Sequence, residues 1–260
     1  MLLHDAFNRN SERLAVESSG GGFEMESREE LLNKLLQDYC VEDSVLGAIQ
    51  IGSITKGYDD ISSDVDLEVI VTEEKYAKTE KSFQKIIHTG KYDLIFTTIA
   101  RLRNIANSER DEDHWDYQDA IKLIDKTGEI EKILKDIVKY DPDSRVARLK
   151  TYYLGYWNHT LGSFSCLKHK NDWGAKIYAA LAIQELIRLL FNINYRWSPR
   201  LQWAFKEVPS LEKKPPNLET QIRSILEEPD SNSLGRLWND TISLLRVENY
   251  SWIDKPEEIM

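Results

Sequence analysis

Cysteine is scarce. Cys40 and Cys166 are the only two in 260 residues, and no CxxC pair occurs. A disulfide framework and a zinc knuckle are both unsupported by that count. No apolar run approaches the length of a membrane span. The first residues, MLLHDAFNRNSERLAVE, carry charges where a signal peptide needs an apolar block. These absences together point to the cytoplasm and to no membrane contact. Basic residues are in deficit, with 34 Lys+Arg against 44 Asp+Glu and a net charge of −10. Polyphosphate backbones are bound largely through cation contacts, so the balance argues against a nucleic-acid partner while leaving room for a local basic patch. An acidic protein more naturally attracts a small cationic substrate. Internal repeats and low-complexity tracts are also missing.

What is present is enough apolar material for real cores, 41% of the chain. The length fits one large domain or two modest ones. Residues 17–22, ESSGGG, set off a short N-terminal piece that reads as a helix or as irregular chain. SREELLNKLLQDYC then predicts an amphipathic helix with Ser27 as N-cap and Glu30 completing a capping box. Strands are predicted over 45–51, 64–71, 92–98 and 120–124. Helices are predicted over 73–87, where Thr72 is the cap, and over 99–108 and 129–139. Strands alternating with helices indicate an α/β sheet domain. The acidic stretch ERDEDHWDYQD lies between the helix predicted over 99–108 and the last strand. After Asp141-Pro142-Asp143 the strand signals stop. Helices are predicted over 144–170, 172–192, 217–228 and 231–248, with an irregular aromatic connection, RWSPRLQWAFKEVPSLEKKPP, in the middle. The expected organisation is therefore a sheet domain over 1–142 and an all-α bundle over 143–260.

The chemistry concentrates in IQIGSITKGYDDISSDVDLEVIV, residues 49–71. Asp64, Asp66 and Glu68 alternate with Val65, Leu67 and Val69. Side chains two apart on a strand share a face, so Asp64 and Asp66 project together, roughly 7 Å apart at Cα. Two like charges so close repel, and burying either alone is costly. A divalent cation such as Mg²⁺ removes the conflict and keeps coordination positions for water and phosphate oxygens. Upstream, Gly52 lets backbone approach a ligand closely, and N–H groups at a helix start that follows a strand attract phosphate. Ser53 adds a hydroxyl and Lys56 a positive charge. A competing account makes the acids the solvated face of an edge strand and Gly52-Ser53 an ordinary turn.

Gly52-Ser53, ten intervening residues and Asp64-Val65-Asp66 resemble the signature of the nucleotidyltransferase superfamily typified by DNA polymerase β. Asp93, in KYDLI, fits the third carboxylate of that pattern on the next strand. Glu68 departs from the pattern, which commonly has an apolar residue there, and its expected place is in solvent. The resemblance implies a catalytic domain with a mixed sheet, followed by a helical bundle. It implies two Mg²⁺ ions held by Asp64, Asp66 and Asp93, and ATP or another NTP held by Gly52, Ser53 and Lys56. The two-domain layout is similar to the aminoglycoside and lincosamide nucleotidyltransferases. That likeness implies transfer of a nucleoside monophosphate, AMP first, to a hydroxyl of a small molecule such as an antibiotic. Several such enzymes are homodimers, an arrangement the resemblance allows here.

In the helical half, Glu185 falls within the apolar stripe of Tyr178, Leu181, Ala182 and Leu189. It is a candidate general base, against the plainer expectation of a structural acid paired with Arg188. Trp197, Trp203, Arg196 and Arg200 suit stacking on a base or drug ring, against the plainer expectation of a connector pinned by aromatics. His159 and His169, ten apart, lack metal-ligand spacing. Two rival functions remain in view: a protein-adenylylating enzyme, and a nucleotide-binding regulator without catalysis.

Overall fold

A computed structural model describes residues 27–60, 62–81, 86–248 and 250–254. The expectations for residues 1–26, including the glycine-rich ESSGGG, lie outside the described residues, as do residues 82–85 of the helix predicted over 73–87. Residues 1–41 and 42–260 are separate compact units. In the first, helix α1 (Arg28–Tyr39) begins as its sequence dictates. The Glu30 amide donates to the Ser27 hydroxyl at 3.2 Å, and the Ser27 amide donates to the Glu30 carboxylate at 2.7 Å. Two of the amides that a helix start leaves unpaired are thereby satisfied.

The second unit holds a mixed five-stranded sheet followed by helices. Its strands are β1 (Val45–Ile51), β2 (Val65–Val71), β3 (Ile86–His88), β4 (Tyr92–Thr97) and β5 (Ile121–Asp125), in spatial order β3-β4-β2-β1-β5. β2 runs parallel to β4, and the other pairs are antiparallel. The helices of this half are α2 (Glu73–Lys81), α3 (Ile99–Ile105), α4 (Asp111–Asp116) and α5 (Ile130–Val138). α2 starts at Thr72, whose hydroxyl accepts from the Lys75 amide at 3.3 Å. Its described residues run to Lys81, and Ile86–His88, which brackets the predicted end at 87, is instead an edge strand.

One face of β2 explains the position of the site. Ile70 is fully buried in a cluster with Ile49, Leu102, Tyr117, Ile130 and Ile137. Two residues back, Glu68 is also buried, at 4% exposure. Only at Asp66 does this face open to half-burial. The expected solvated position of Glu68 is thus corrected: α3, α4 and α5 cover that face of the sheet. The acids do not line a free edge, because β2 is the central strand.

From Asp141 onward the described residues contain no strand. Long helices α6 (Arg145–Lys168) and α7 (Asp172–Ile193) are followed by α8 (Leu201–Glu207), α9 (Leu218–Glu227) and α10 (Ser231–Val247). They bury Leu149, Tyr153, Leu186, Leu190, Phe191 and Ile222, among others. Arg145 closes the end of α7, donating to the carbonyls of Asn192 at 2.8 Å and Ile193 at 3.1 Å, where helix ends leave acceptors unmatched. The connection expected to be irregular contains α8 and a 3₁₀ turn at Val208–Ser210. Trp197, 2% exposed, anchors it: the ring stacks on His114 at 3.9 Å and the indole N–H donates to the Val138 carbonyl at 3.2 Å. No described helix is long and apolar enough to cross a membrane.

Candidate active site

Asp64 immediately precedes β2, Asp66 is its second residue, and Asp93 is the second residue of β4. The parallel ladder sets Asp66 directly beside Asp93. Neighbours across a ladder share a face, so register alone brings two carboxylates together, and Asp64 joins them by the two-residue repeat of the strand. One carboxylate oxygen from each of the three lies within 4.8 Å of the others. All three are half-buried. Burial pushes the Asp66 carboxyl up to about 7, and the nearby charges of Asp64 and Asp93 add to the rise. Burial and like charges both disfavour the ionised form of such a carboxyl, and the three carboxylates together could hold a cation.

Gly52 is the second half of the site. β1 ends opposite Asp66, through the pair Ile51–Asp66, and the chain turns at Gly52 with φ +90°. A β-carbon added there would sit 1.9 Å from Asp66 Oδ2. The turn therefore packs its backbone against the carboxylate, and glycine alone gives both the space and the dihedral. The segment from Ser53 to Gly57 folds as successive turns and not as the expected helix start. The Tyr58 amide donates to the Ser53 carbonyl at 2.9 Å, and the Thr55 hydroxyl to the Gly52 carbonyl at 3.1 Å.

The end of α4 supports the rim through three consecutive residues. The Trp115 carbonyl accepts from the Lys56 ammonium at 2.8 Å, and the same ammonium lies 3.9 Å from the Trp115 ring centroid and 3.2 Å from Asp119. Asp116 accepts from Arg200 through Nε, at 2.8 and 3.0 Å, and through Nη2. Tyr117 donates its hydroxyl to Glu68 at 2.8 Å. The Lys56 side chain is only 3% exposed, and burial lowers its pKa against the opposing pull of Asp119. Holding a phosphate requires it to leave these partners. Arg200 is 53% exposed, and its charge draws the Asp66 pKa down while that of Asp116 raises it. The turn also meets α8: the Tyr58 hydroxyl donates to Glu207 at 2.6 Å, and its ring lies 5.3 Å from that of Trp203.

Burial raises the Glu68 carboxyl to about 7, with the Tyr117 hydrogen bond opposing. Glu185 is not a member of the carboxylate group. It pairs with Arg188 at 3.3 Å, and Arg188 reaches on to Glu112 at 2.5 Å. Gly155 leaves room for it, since a β-carbon there would lie 2.8 Å from Glu185 Cγ. Burial raises its pKa, and Arg188 counters. Trp197 and Trp203 pack on protein rings, and Arg196 is engaged with Glu207 at 2.6 Å. Two residues escaped the sequence, His88 and Asp116; Arg200 was singled out for ring stacking, and its pairing with Asp116 was not expected. Asp116 lies in a run of acids that reads as surface, and Arg200 is 84 residues away from it. For His88 a usable signal existed in IIH followed by Thr-Gly, a short β-branched run before a turn. Two open grooves of about 950 and 680 Å³ run along α3, α5 and the start of α6, and none of the three aspartates lines either.

No protein-family model matches the chain, and no curated protein matches it. Among solved structures it is similar to a nucleotidyltransferase-like protein from Exiguobacterium sibiricum, with 12% identity and a TM-score of 0.44, over 85% of this chain and 74% of that one.

Proposed function

We propose that the chain is a divalent-metal-dependent nucleotidyltransferase that moves a nucleoside monophosphate, AMP from ATP first, onto a hydroxyl of a small molecule. The observation that carries this reading is the convergence of Asp64, Asp66 and Asp93 within 4.8 Å beside the Gly52 turn. The donor set fits Mg²⁺, a hard cation that takes carboxylate oxygens and retains sites for phosphate. The raised Asp66 pKa follows from the same arrangement, through burial first and then the charges of Asp64 and Asp93, a conflict that a cation relieves. Asp64, Asp66 and Asp93 would hold two ions, which when bound supply charge neutralisation at the attacking and leaving oxygens of an in-line displacement.

The chain's own residues do the positioning. Gly52 would admit phosphate close to the backbone, and Ser53, next in sequence, would offer its hydroxyl. Arg200 offers an exposed guanidinium near Asp66 for the leaving pyrophosphate, once Asp116 releases it, and Lys56 is a second cation under the same turn. Catalysis of phosphoryl-type transfer is mostly such placement and electrostatics. Glu185 keeps its candidacy as base, with Arg188 as the partner it must share. Residues 143–260 would furnish the acceptor side, and the net charge of −10 favours a cationic acceptor of the aminoglycoside kind.

The test is incubation with labelled ATP, Mg²⁺ and a panel of aminoglycosides, lincosamides and proteins, alongside Asp64→Asn and Asp66→Asn. Label on a small molecule, lost in both variants, supports the proposal. Label on protein replaces it with adenylylation, and ATP binding without turnover replaces it with a regulator. Undiminished turnover in both variants ends it.

A further inference from the structure

The hairpin of β3 and β4 carries a feature that the metal reading alone does not use. β3 is only three residues long, yet its pairing puts His88 directly opposite Asp93. Asp93 in turn stands opposite Asp66, which stands opposite Ile51. A single cross-strand row therefore runs Ile51, Asp66, Asp93, His88 over four strands, with side chains on one face. His88 Nδ1 lies 2.6 Å from Asp93 Oδ1. An ionised carboxylate only accepts, so the ring nitrogen is the donor in this bond. His88 is 66% exposed and Asp93 22%. Little apolar burial is gained by placing an imidazole there, and the contact with Asp93 is what the position provides.

The turn that delivers His88 is firmly built. Thr89 donates its amide to the Tyr92 carbonyl at 3.1 Å, and its hydroxyl accepts from the amides of Lys91 and Tyr92 at 3.3 and 3.1 Å. Gly90 has φ +78°, the conformation such a tight turn demands. His88 is thus held at a set height beside Asp93.

The geometry points to His88 as the positioning residue of the third carboxylate: its Nδ1–H occupies one Asp93 oxygen and fixes the other for the cation shared with Asp64 and Asp66. This rests on the metal-site reading above. A free aspartate samples staggered χ1 rotamers and a broad, roughly two-fold χ2 of its carboxylate, and an outer hydrogen bond selects one orientation. Loss of such a partner typically costs 10–100-fold in metal affinity or activity.

Mn²⁺ binding, followed by calorimetry, separates this role from a plain surface ion pair. His88→Ala is expected to weaken Mn²⁺ binding about 10-fold and to lower kcat without raising KM for ATP. His88→Asn is expected to restore both, because the Asn amide nitrogen sits as many bonds from Cα as Nδ1 does. His88→Gln, whose amide lies one bond farther out, is expected to restore neither. Thermal melts of all three confirm folding, and the Asn and Gln pair decides the matter even where Ala lowers stability. If Asp64→Asn loses Mn²⁺ while His88→Ala binds it as the unaltered protein does, His88 has no positioning role and the metal reading stands. If His88→Ala is impaired and His88→Asn is equally so, the hydrogen bond is not the cause and the inference falls. Should Asp64→Asn bind Mn²⁺ undiminished, the metal reading fails and takes this inference with it.

Discussion

Asp66→Asn should make the metal-free protein more stable while removing its response to metal. Burial and the charges of Asp64 and Asp93 raise the Asp66 carboxyl from an ordinary 3.8 to about 7. At 1.36 kcal/mol per pKa unit, roughly 3 units correspond to about 4 kcal/mol lost by the folded state when Asp66 is fully ionised. Solvent still reaches this half-buried group, and screening reduces the effect to about 2 kcal/mol. The sign follows from linkage. A group whose folded pKa lies above its unfolded one favours the fold below the unfolded value, and that contribution fades as pH rises through the folded value. The unaltered protein in EDTA should therefore lose stability between pH 4 and 7 and stay low above it. The asparagine variant lacks this loss, so the gap between the two is widest at pH 8, narrows through pH 5.5 and closes near pH 4. Urea denaturation at these pH values reads the gap directly. Adding Mg²⁺ or Mn²⁺ at pH 8 should stabilise the unaltered protein by mass action and leave the variant unmoved. An asparagine variant that is no more stable in EDTA at pH 8, yet stabilised by metal to the same degree, refutes the charge-conflict argument.

Other perturbations read different parts of the site. Gly52→Ala must find room for a β-carbon 1.9 Å from Asp66 Oδ2 at φ +90°, so it should weaken Mn²⁺ binding and lower stability by more than about 1 kcal/mol, measured by calorimetry and urea melts. Glu68→Gln keeps an acceptor for Tyr117 and removes a carboxyl raised from 4.5 to about 7, so it should stabilise the fold by about 1–3 kcal/mol at pH 8.5 and by nothing near pH 4.5, where the unaltered Glu68 is protonated and causes no loss. Tyr117→Phe leaves Glu68 without its donor and should cost about 1–3 kcal/mol in the same melts. Arg200→Ala removes a charge that lowers the Asp66 pKa, so half-maximal Mn²⁺ binding should move to higher pH and KM for ATP should rise.

What the sequence disclosed and what it hid divide along the range of the interactions. β1 runs from Val45 to Ile51 as its apolar run implies, and the Ser27 cap follows from residues three apart. Asp64 and Asp66 were legible because strand periodicity is a local property, whereas Asp93 was joined to them only through the family resemblance. Glu68 was not legible, since nothing in DVDLE distinguishes a solvated acid from one bonded to a tyrosine 49 residues later. β3 was missed although IIH before Thr-Gly carries a strand signal, because so short a run also continues the preceding helical pattern until β4 pairs with it. α4 was hidden by composition: DEDHWD reads as solvated, yet Asp111 is fully buried and accepts from Asn192 at 2.6 Å. The RWSPR connection is pinned by an aromatic as its composition implies, but the partner, His114, is distant in sequence.

The short α4 implies an order of assembly. The three carboxylates span 30 residues, Asp64 to Asp93, and can meet as soon as β2 and β4 pair. The rim closes through bonds that bridge 59, 49 and 84 residues, from Trp115 to Lys56, from Tyr117 to Glu68 and from Asp116 to Arg200. Closing long loops is slow, because entropy is lost before the contact repays it. During synthesis on the ribosome, a chain that has emerged only as far as α6 would carry its aspartates already gathered, with Asp116 still waiting for its arginine.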